Sequence, residues 1–320
     1  MSCNAFDRRR CYELVEGGPV NTGSLRRRAV AAGALLLTGA LVLSACGDDG
    51  GESGAGSDTT VTQDAALAAM VPDAIKSDGK IKVGTDASYP PNESIDPSTQ
   101  EIVGWDVELF KAVAAKLGLK AEFENAGFDT IIPGVQSGKY EIGVSSFTDD
   151  KEREKAVDFV TYYSAGTAWA APRGNPKNVN PDDACGLTIG VQQGTVQVKD
   201  LEERSKKCTE AGKPAIKTVV RKQQTEVNND LVAGKIDAMA ADSPVVGGAV
   251  KTTGKLEIIG QVYDTAPYGY AINKNAGQFK EAVLGAIKAL IADGTYMKIL
   301  KEHGVESGAI TEPVINGAQS

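Results

Sequence analysis

I-I-P-G-V-Q-S-G-K-Y-E-I-G-V-S-S-F-T, at residues 131–148, is matched further along the chain by N-N-D-L-V-A-G-K-I-D-A-M-A-A-D-S, at residues 228–243. Each stretch has the pattern of a helix end, a Gly-Lys turn, a short apolar strand and then a group of polar residues. Upstream of each lies another strand that ends in a turn, V-G-T-D-A-S-Y at 83–89 and I-G-V-Q-Q-G-T at 189–195. The chain is therefore predicted to contain two similar α/β units.

The spacing of apolar residues predicts further elements of the α/β pattern. K-I-K-V-G-T, at residues 80–85, is predicted as a strand. Helices are predicted over residues 107–117 and 279–291, with Gly118 and Gly294 as their stops. In both helices the apolar residues recur with a helical period, as in helices that pack on a core: Val107, Phe110, Val113, Ala114 and Leu117 in the first, and Phe279, Val283, Ala286, Ile287, Leu290 and Ile291 in the second.

Composition and charge exclude several classes of function. The 320 residues, of which 42% are apolar, suffice for two ordinary domains. A net charge of -8 and the lack of a Lys/Arg run after residue 28 argue against a nucleic-acid partner. His303 is the single histidine and no C-x-x-C pattern occurs, so we expect no metal site and no cofactor.

The N-terminal region has the features of an export signal. Three arginines, 26–28, precede the apolar run 29–43, which is too short for a membrane span. The run ends in L-S-A-C, and this resembles the lipobox of bacterial lipoproteins, in which the signal peptide is cut before a cysteine that then carries lipid. We therefore expect a signal peptide over 1–45, a lipidated Cys46 and a flexible linker over 46–78, with the protein exported and anchored to the outer face of the cell membrane. The alternative is a simple secretory signal with an incidental cysteine.

Two cysteines remain in the exported body. Cys3 and Cys11 lie in the segment to be removed, and Cys46 would be acylated. Cys185 and Cys208 are therefore predicted to form a disulfide in an oxidising compartment. The alternative is that both stay free thiols.

The polar groups after the four strands indicate a ligand site. In open α/β sheets, ligands bind beyond the carboxyl ends of the strands. If the two units face each other, the polar groups line one cleft between two lobes, which is a favoured place for a small ligand.

The chemistry of these groups fits an α-amino acid. Arg153 can hold a carboxylate with two hydrogen bonds, and Asp242 is suited to an ammonium group. Hydroxyl groups and a predicted helix start add donors for the anion, namely those of Ser145, Ser146 and Thr148, with Gly194 and Thr195 opening the helix. Taken singly, Arg153 could belong to a solvated helix face, and Asp242 could only cap a helix.

Residues 80–312 resemble the amino-acid-type solute-binding proteins (family 3) of bacterial ABC importers. The motifs that carry the resemblance are, in order, V-G-T-D-A-S-Y-P-P, I-V-G-W-D-V-E-L, F-D-T-I-I-P-G-V-Q-S-G-K-Y, S-S-F-T-D-D-K-E-R, V-Q-Q-G-T, K-I-D-A-M-A-A-D and Y-G-Y-A-I-N-K. The resemblance implies an α/β protein with the two-lobed periplasmic-binding-protein (type II, Venus flytrap) fold joined by two hinge strands. It also implies that the lobes close on a free amino acid.

The resemblance assigns roles to particular residues. Arg153 would hold the ligand carboxylate with help from Thr148 and the Thr195 amide, while Ser146 and Asp242 would receive the ammonium. Two aromatic residues, Tyr89 and Phe128, would sandwich the ligand side chain; their alternative role is core packing.

Further residues would lie near the tip of the ligand side chain or at the rim of the cleft: Asp86, Glu93 and Gln192. The two carboxylates favour a polar or basic amino acid. Asn92 stands where the family often has an aromatic residue, so the shape of the side-chain pocket stays open.

The resemblance also implies an organisation and partners. Lobe 1 is expected over 79–168 plus 267–312, lobe 2 over 171–264 and a C-terminal tail over 313–320, with hinges near Ala168–Pro172 and Asp264–Tyr268. We expect a monomer that delivers its ligand to an ABC permease and ATPase. The alternatives are a dehydratase-like enzyme on the same fold or a ligand-sensing surface lipoprotein.

Overall fold

The computed structural model of the protein describes residues 61–319. The predicted signal peptide, Cys46 and the first part of the predicted linker lie outside these residues. The helices of the described part are α1 (Ala65–Met70), α2 (Asp73–Lys76), α3 (Trp105–Lys116), α4 (Phe128–Gln136), α5 (Val196–Glu210), α6 (Gln224–Val232), α7 (Ser243–Thr253), α8 (Phe279–Ala292) and α9 (Thr295–His303). Short 3₁₀ turns form at Arg153–Lys155, Pro181–Asp183 and Glu306–Gly308.

The strands of the described part form one eight-stranded and one three-stranded sheet. They are β1 (Lys80–Thr85), β2 (Ser88–Tyr89), β3 (Glu93–Ile95), β4 (Ile102–Val103), β5 (Lys120–Asn125), β6 (Ile142–Gly143), β7 (Asp158–Pro172), β8 (Thr188–Gln192), β9 (Lys217–Arg221), β10 (Ala238–Asp242) and β11 (Leu256–Ile272). The small sheet has the order β2-β3-β4.

The large sheet shows the internal repeat directly. Its order is β5-β1-β6-β11-β7-β10-β8-β9. The group β5-β1-β6 at one edge is matched by β9-β8-β10 at the other, and within each group the strands run parallel. The prediction of two similar α/β units is confirmed, as are the strand at 80–85 and the two amphipathic helices, which the structure has as α3 and α8.

Two long antiparallel strands, β7 and β11, connect the halves of the large sheet. At one end β11 pairs with β6, and at the other end β7 pairs with β10 through residues 167–170. The β7–β11 ladder is irregular between residues 259 and 269, and Asp264 there has a φ of 49°. The predicted hinge Asp264–Tyr268 lies in this irregular part. The predicted hinge Ala168–Pro172 lies partly beside β10. This pairing favours a position a few residues earlier in β7 for the point where the chain first passes from one half to the other.

The predicted flexible linker, 46–78, ends earlier than expected, which corrects its boundary. The Asp64 carboxylate accepts hydrogen bonds from the N–H groups at 66 and 67 and so caps α1. Leu67 packs against the core, and Val71 and Ile75 are buried in it. These three apolar residues are spaced four apart, so residues 64–78 carry an apolar stripe that the Gly/Ser-rich composition before them hides.

The predicted C-terminal tail lies along the edge of lobe 1. Thr161 N–H donates to the carbonyl of Val314 at 2.9 Å, and Val314 N–H donates to Thr161 Oγ1 at 2.8 Å. Gly317 N–H donates to the Asp149 carboxylate. Residues 314–317 are therefore part of the folded body.

The predicted disulfide is present. Cys185 and Cys208, at the end of α5, are bonded across a sequence separation of 23 residues. It joins α5 to the loop before β8. Neither cysteine is among the residues that line the ligand cavity described below.

We expect replacement of both cysteines by alanine to lower the free energy of unfolding by about 3 kcal/mol, because the open loop gains conformational freedom in the unfolded chain. Chemical denaturation under oxidising conditions measures the change. Ligand affinity should stay within about twofold, and a variant as stable as the parent would contradict the assigned contribution of the bridge.

Candidate ligand-binding site

A cavity lies between the carboxyl ends of the strands of the two halves. It encloses about 330 Å³ of empty space, part of which is open to solvent. Both halves of the sheet contribute its lining: Tyr89, Phe128, Ser146, Thr148, Arg153, Thr195, Val196, Gln197, Gln224, Ala241, Asp242 and Val245. Seven of the eleven predicted ligand-binding residues thus meet at one cavity.

Arg153 projects into the cavity from the 3₁₀ turn that follows the S-S-F-T segment. Its side chain is 13% exposed. One terminal N–H group donates to the Thr148 carbonyl at 2.7 Å and another to the Gly194 carbonyl, in the other half, at 3.0 Å. A guanidinium has five N–H donors, so these bonds orient the group and leave donors for a ligand. Burial lowers the pKa of Arg153, and the carboxylates of Asp150 and Asp242 oppose that change.

The first turn of α5 forms the adjoining wall of the cavity. Thr195, Val196 and Gln197 line it, and no side chain of the described residues caps this end of the helix. The Thr195 hydroxyl instead donates to the Gln192 carbonyl at 2.8 Å. Because the first N–H groups of a helix have no partner within it, this wall favours an anion beside Arg153.

Asp242 stands at the end of β10 on the other side of the cavity. Its two carboxylate oxygens accept from Gln197 Nε2 and from the Tyr268 hydroxyl, each at 2.7 Å. Burial raises the pKa of Asp242, while hydrogen bonds from Tyr268 and Gln197 and the charge of Arg153 oppose the rise. Each carboxylate oxygen retains room for a second donor, so the group can receive a cation.

The two adjacent serines differ in their relation to the cavity. Ser146 lines it, whereas Ser145 is fully buried beneath it. The Ser145 oxygen accepts from the N–H of Asp86 at 2.9 Å and its hydroxyl lies 3.1 Å from the Glu93 carboxyl. Ser145 therefore supports the site from behind. Gly194 likewise does not line the cavity, and it contributes through its carbonyl bond to Arg153.

The aromatic residues line the cavity without forming a parallel pair. The rings of Tyr89 and Phe128 meet edge to face, with centroids 5.8 Å apart and an interplanar angle of 72°. A flat group cannot lie parallel to both rings, so the predicted sandwich is not present in this arrangement. Phe128 instead stacks on Phe147 at 4.7 Å, and the guanidinium of Arg153 lies 5.4 Å from the Phe128 centroid.

Asp86 and Gln192 form a buried pair next to the cavity. Gln192 Nε2 donates to the Asp86 carboxylate at 2.8 Å, and the N–H of Phe128 donates to the same oxygen at 3.0 Å. The Gln192 amide oxygen is buried and has no hydrogen-bond partner within the described residues. Burial raises the pKa of Asp86, and its hydrogen bonds oppose that rise. Glu93, predicted at the cleft, is instead 0% exposed and lies in the interior.

Direct hydrogen bonds hold the two halves together around the cavity. Besides Arg153 to Gly194 and Gln192 to Asp86, they include Gln193 Nε2 to Asp129 at 2.8 Å and the N–H of Gln224 to Ser88 Oγ at 3.1 Å. In α7, Gly248 lies so close to the turn at 90–91 that a Cβ there would be 2.3 Å from the Pro90 carbonyl oxygen. The halves are therefore in a closed arrangement.

The sequence did not indicate a role at the ligand site for Gln197, Gln224 or Tyr268. Gln197 and Tyr268 hold Asp242, and Gln224 lines the cavity. Tyr268 stands in the quoted motif Y-G-Y-A-I-N-K, and Gln197 stands two residues after the predicted helix start. The motif that contains Tyr268 and the helix start near Gln197 are both visible in the sequence. Their positions along the chain do not show that the two side chains point to Asp242.

Two other kinds of site are absent from the part of the chain that the structure describes. Residues 61–319 contain no group of three or more His, Cys, Asp or Glu side chains placed to hold a metal ion. None of their helices combines the length and apolarity needed to cross a membrane.

Comparisons with known proteins agree with this architecture. The model of the bacterial extracellular solute-binding proteins, family 3, matches residues 81–306. The arginine-binding protein ArgT of Corynebacterium glutamicum is 35% identical over 252 residues, which are 78% of this chain and 82% of that protein.

Solved structures give the same result. An ancestral arginine-binding protein bound to arginine is 33% identical with a TM-score of 0.65, covering 70% of this chain and 97% of its own. A structure of an ancestral arginine-binding protein bound to glutamine has the same identity and TM-score, covering 71% of this chain and 99% of its own. The ancestral amino acid-binding protein AncCDT-1, a precursor of cyclohexadienyl dehydratase, is 31% identical with a TM-score of 0.65 over 72% of this chain and 97% of its own. This chain thus belongs to the bacterial extracellular solute-binding proteins of family 3, has their two-lobed fold, and is a substrate-binding protein of an amino-acid ABC importer.

Proposed function

We propose that the cavity binds a free α-amino acid with its carboxylate on Arg153 and its ammonium on Asp242. The observation that carries this assignment is that the two opposite charges line one cavity from different halves of the molecule, each with bonding capacity to spare. Backbone carbonyls and an ion pair with Asp150 hold Arg153, whereas neutral groups hold Asp242. The first turn of α5 and Thr148 assist the carboxylate. A low local dielectric strengthens both contacts once the cleft is closed.

A basic side chain is the ligand type that the surroundings favour. The zwitterionic end of the ligand matches Arg153 and Asp242, which leaves the negative charge of Asp86 without a cation in the site. The Gln192 amide nitrogen donates to that carboxylate, and the Gln192 amide oxygen, which has no partner within the described residues, is a further acceptor in this region. ArgT, at 35% identity, carries the name of an arginine-binding protein. L-Arginine is therefore our first candidate.

L-Glutamine is the second candidate. Of the two structures of ancestral arginine-binding proteins at 33% identity, one holds arginine and the other holds glutamine. A glutamine amide could donate to Gln192 or Asp86, but it would gain nothing from the carboxylate charge. The contribution of the Asp86 charge to binding therefore distinguishes L-arginine from L-glutamine as the ligand.

We further propose that the protein binds its ligand without transforming it. The single histidine, His303, hydrogen-bonds Glu108 and does not line the cavity. The relation to a dehydratase precursor makes turnover worth testing. Incubation of the purified protein with its ligand should return the ligand unchanged, and product formation would contradict this proposal.

The cellular setting is part of the same proposal. A lipidated Cys46 would anchor the protein outside the cell membrane through a linker that now ends near residue 63. The protein would act as a monomer and deliver the ligand to a permease driven by an ATPase. Metabolic labelling with a palmitate analogue, lost on Cys46→Ala, tests the anchor.

Arg153→Ala should weaken L-arginine binding by about 100-fold or more, because a charge-assisted carboxylate contact is lost. Isothermal titration calorimetry measures the change, and circular dichroism should show an intact fold. Arg173→Ala, at an exposed arginine outside the cavity, is the matched control. Undiminished affinity in Arg153→Ala would remove this residue from the site.

Asp86→Asn should lower the affinity for L-arginine by about tenfold or more while changing that for L-glutamine little, because it removes charge and keeps shape. Asp129→Asn, which alters another hydrogen bond between the halves, is the control and should affect both ligands alike. Equal losses for both ligands in Asp86→Asn would exclude Asp86 from side-chain recognition.

Gly248→Ala should weaken ligand binding by about tenfold or more, because the added Cβ would contact the Pro90 carbonyl and hold the halves apart. Gly247→Ala is the control, since no heavy atom lies within 4 Å of a Cβ there. Gly247→Ala should leave affinity unchanged and stabilise α7 by about 0.5–1 kcal/mol. Equal affinities in the two variants would show that this contact does not govern closure.

A further inference from the structure

Two carboxyl groups lie side by side in the interior, directly behind the ligand cavity. Glu93 is on β3 and Asp106 is in the first turn of α3, and both are 0% exposed. Within residues 61–319 no ion pair joins either group to a Lys, Arg or His. Two buried carboxylates without a counter-ion cannot both stay charged at low cost.

Ser146 connects this carboxyl pair to the cavity. Its oxygen lies 3.3 Å from Glu93 Oε2 and 3.3 Å from Asp106 Oδ2, and it accepts from Asn92 Nδ2 at 2.9 Å. A hydroxyl carries one hydrogen, so it can donate to only one of the two carboxyls. If both were ionised, one carboxylate oxygen would face a lone pair of Ser146. A proton on one carboxyl removes that conflict.

The surrounding donors show which carboxyl holds the charge. Asp106 Oδ2 accepts from the Tyr162 hydroxyl at 2.6 Å and from the N–H of Ser146 at 3.1 Å. Among residues 61–319 no backbone N–H donates to the Glu93 carboxyl, which accepts from the Ser145 hydroxyl at 3.1 Å. Asp106 is therefore the better stabilised anion, and Glu93 is the better site for the proton.

The direction of the pKa shifts agrees with this division. Burial raises the pKa of Glu93 well above its usual value, and the neighbouring Asp106 raises it further. Burial raises the pKa of Asp106 to about 7, while hydrogen bonds from Tyr162 and Ser146 oppose the rise.

We infer that Glu93 is a neutral acid at pH 7 that donates its hydrogen to Ser146 Oγ, and that Ser146 donates its own hydrogen to the Asp106 carboxylate. Glu93 is thus a positioning residue that acts on the site through Ser146. The backbone of Ser146 has a φ of 51°, a sparsely populated region for a residue with a Cβ, so it requires fixed partners.

This chain of hydrogen bonds changes the role of Ser146 in ligand binding, a consequence that rests on the proposed amino-acid site. With Asn92 and Glu93 both donating to it, the Ser146 hydroxyl has no acceptor site left for a ligand ammonium. The ammonium therefore depends on Asp242. Ser146 instead fixes the segment that carries Thr148 and leads to Arg153.

Other titratable groups face the pair and must be separated from it. They are Asp86 after β1, Tyr89 on β2, Tyr162 on β7, and Tyr268 and Tyr270 on β11. The pKa values of these tyrosines are raised well above 10, so the tyrosines stay neutral below that pH. Asp86 and Asp106 remain, and both are present in the parent and in Glu93→Gln alike, so the difference between these two proteins reports on Glu93.

The test uses ligand-free thermal unfolding of the purified protein from pH 5 to 9. A carboxyl whose pKa is raised on folding stabilises the protein below its unfolded pKa and loses that contribution as the pH rises through the folded pKa. Glu93→Gln keeps the donor to Ser146 without a titratable proton. Relative to this variant, the parent should lose at least about 3 °C in unfolding temperature between the two ends of the range. A constant difference across the range would overturn the inference.

A second readout uses L-arginine affinity at pH 7. Glu93→Gln should bind within about threefold of the parent, whereas Asp106→Asn, which removes the charged acceptor, should bind about tenfold or more weakly. An equal loss in both variants would show that Glu93 is charged and would overturn the inference. If L-arginine fails to bind the parent, the proposed ligand falls, while the ligand-free pH comparison still decides where the proton lies.

Discussion

A partly buried guanidinium that faces a carboxylate across the ligand cavity is the arrangement on which the rest of the site depends. Arg153 and Asp242 come from opposite halves of the molecule. Backbone carbonyls and the Asp150 carboxylate hold Arg153, and the neutral groups of Gln197 and Tyr268 hold Asp242. Arg153 and Asp242 influence each other's pKa through space, although the structure contains no ion pair between them. The cavity between them therefore has a positive and a negative wall, which is the complement of a zwitterion.

The repeated sheet produces this arrangement from two short motifs. Strands β6 and β10 occupy matching positions in the two halves, and the residues after them turn toward the same gap. After β6 the chain places Ser146, Thr148 and Arg153, and at the end of β10 it places Asp242. The two long strands that join the halves are irregular near residues 259–269, which is where a change in the angle between the halves meets least resistance.

The sequence was sufficient to predict the architecture and part of the ligand site. Apolar periodicity and the Gly-Lys repeat predicted the two units, because strand and helix periods are local properties of the chain. The charges Arg153 and Asp242 could be paired because their motifs occupy matching positions. The sequence could not show that Ser145 and Glu93 point into the interior, nor that Tyr89 and Phe128 meet edge to face, because those orientations depend on packing between distant segments.

The N-terminal boundary of the folded body was predicted wrongly for a different reason. The prediction extends the linker beyond the Gly/Ser-rich residues 47–63 to residue 78, yet an Asp cap and three apolar residues spaced four apart suffice to seat α1 and α2 on the core. Short amphipathic segments have only a weak helical pattern in the sequence. Their stability comes from packing against the surface of the folded core.

Deleting one charged end of the ligand at a time tests the central claim most directly. Calorimetry should compare L-arginine with agmatine, which lacks the carboxylate, and with 5-guanidinovaleric acid, which lacks the ammonium. If Arg153 and Asp242 bind the two ends, both analogues should bind about 100-fold or more weakly than L-arginine, and Arg153→Ala should weaken agmatine binding no further. Agmatine that binds the parent as tightly as L-arginine would contradict the account.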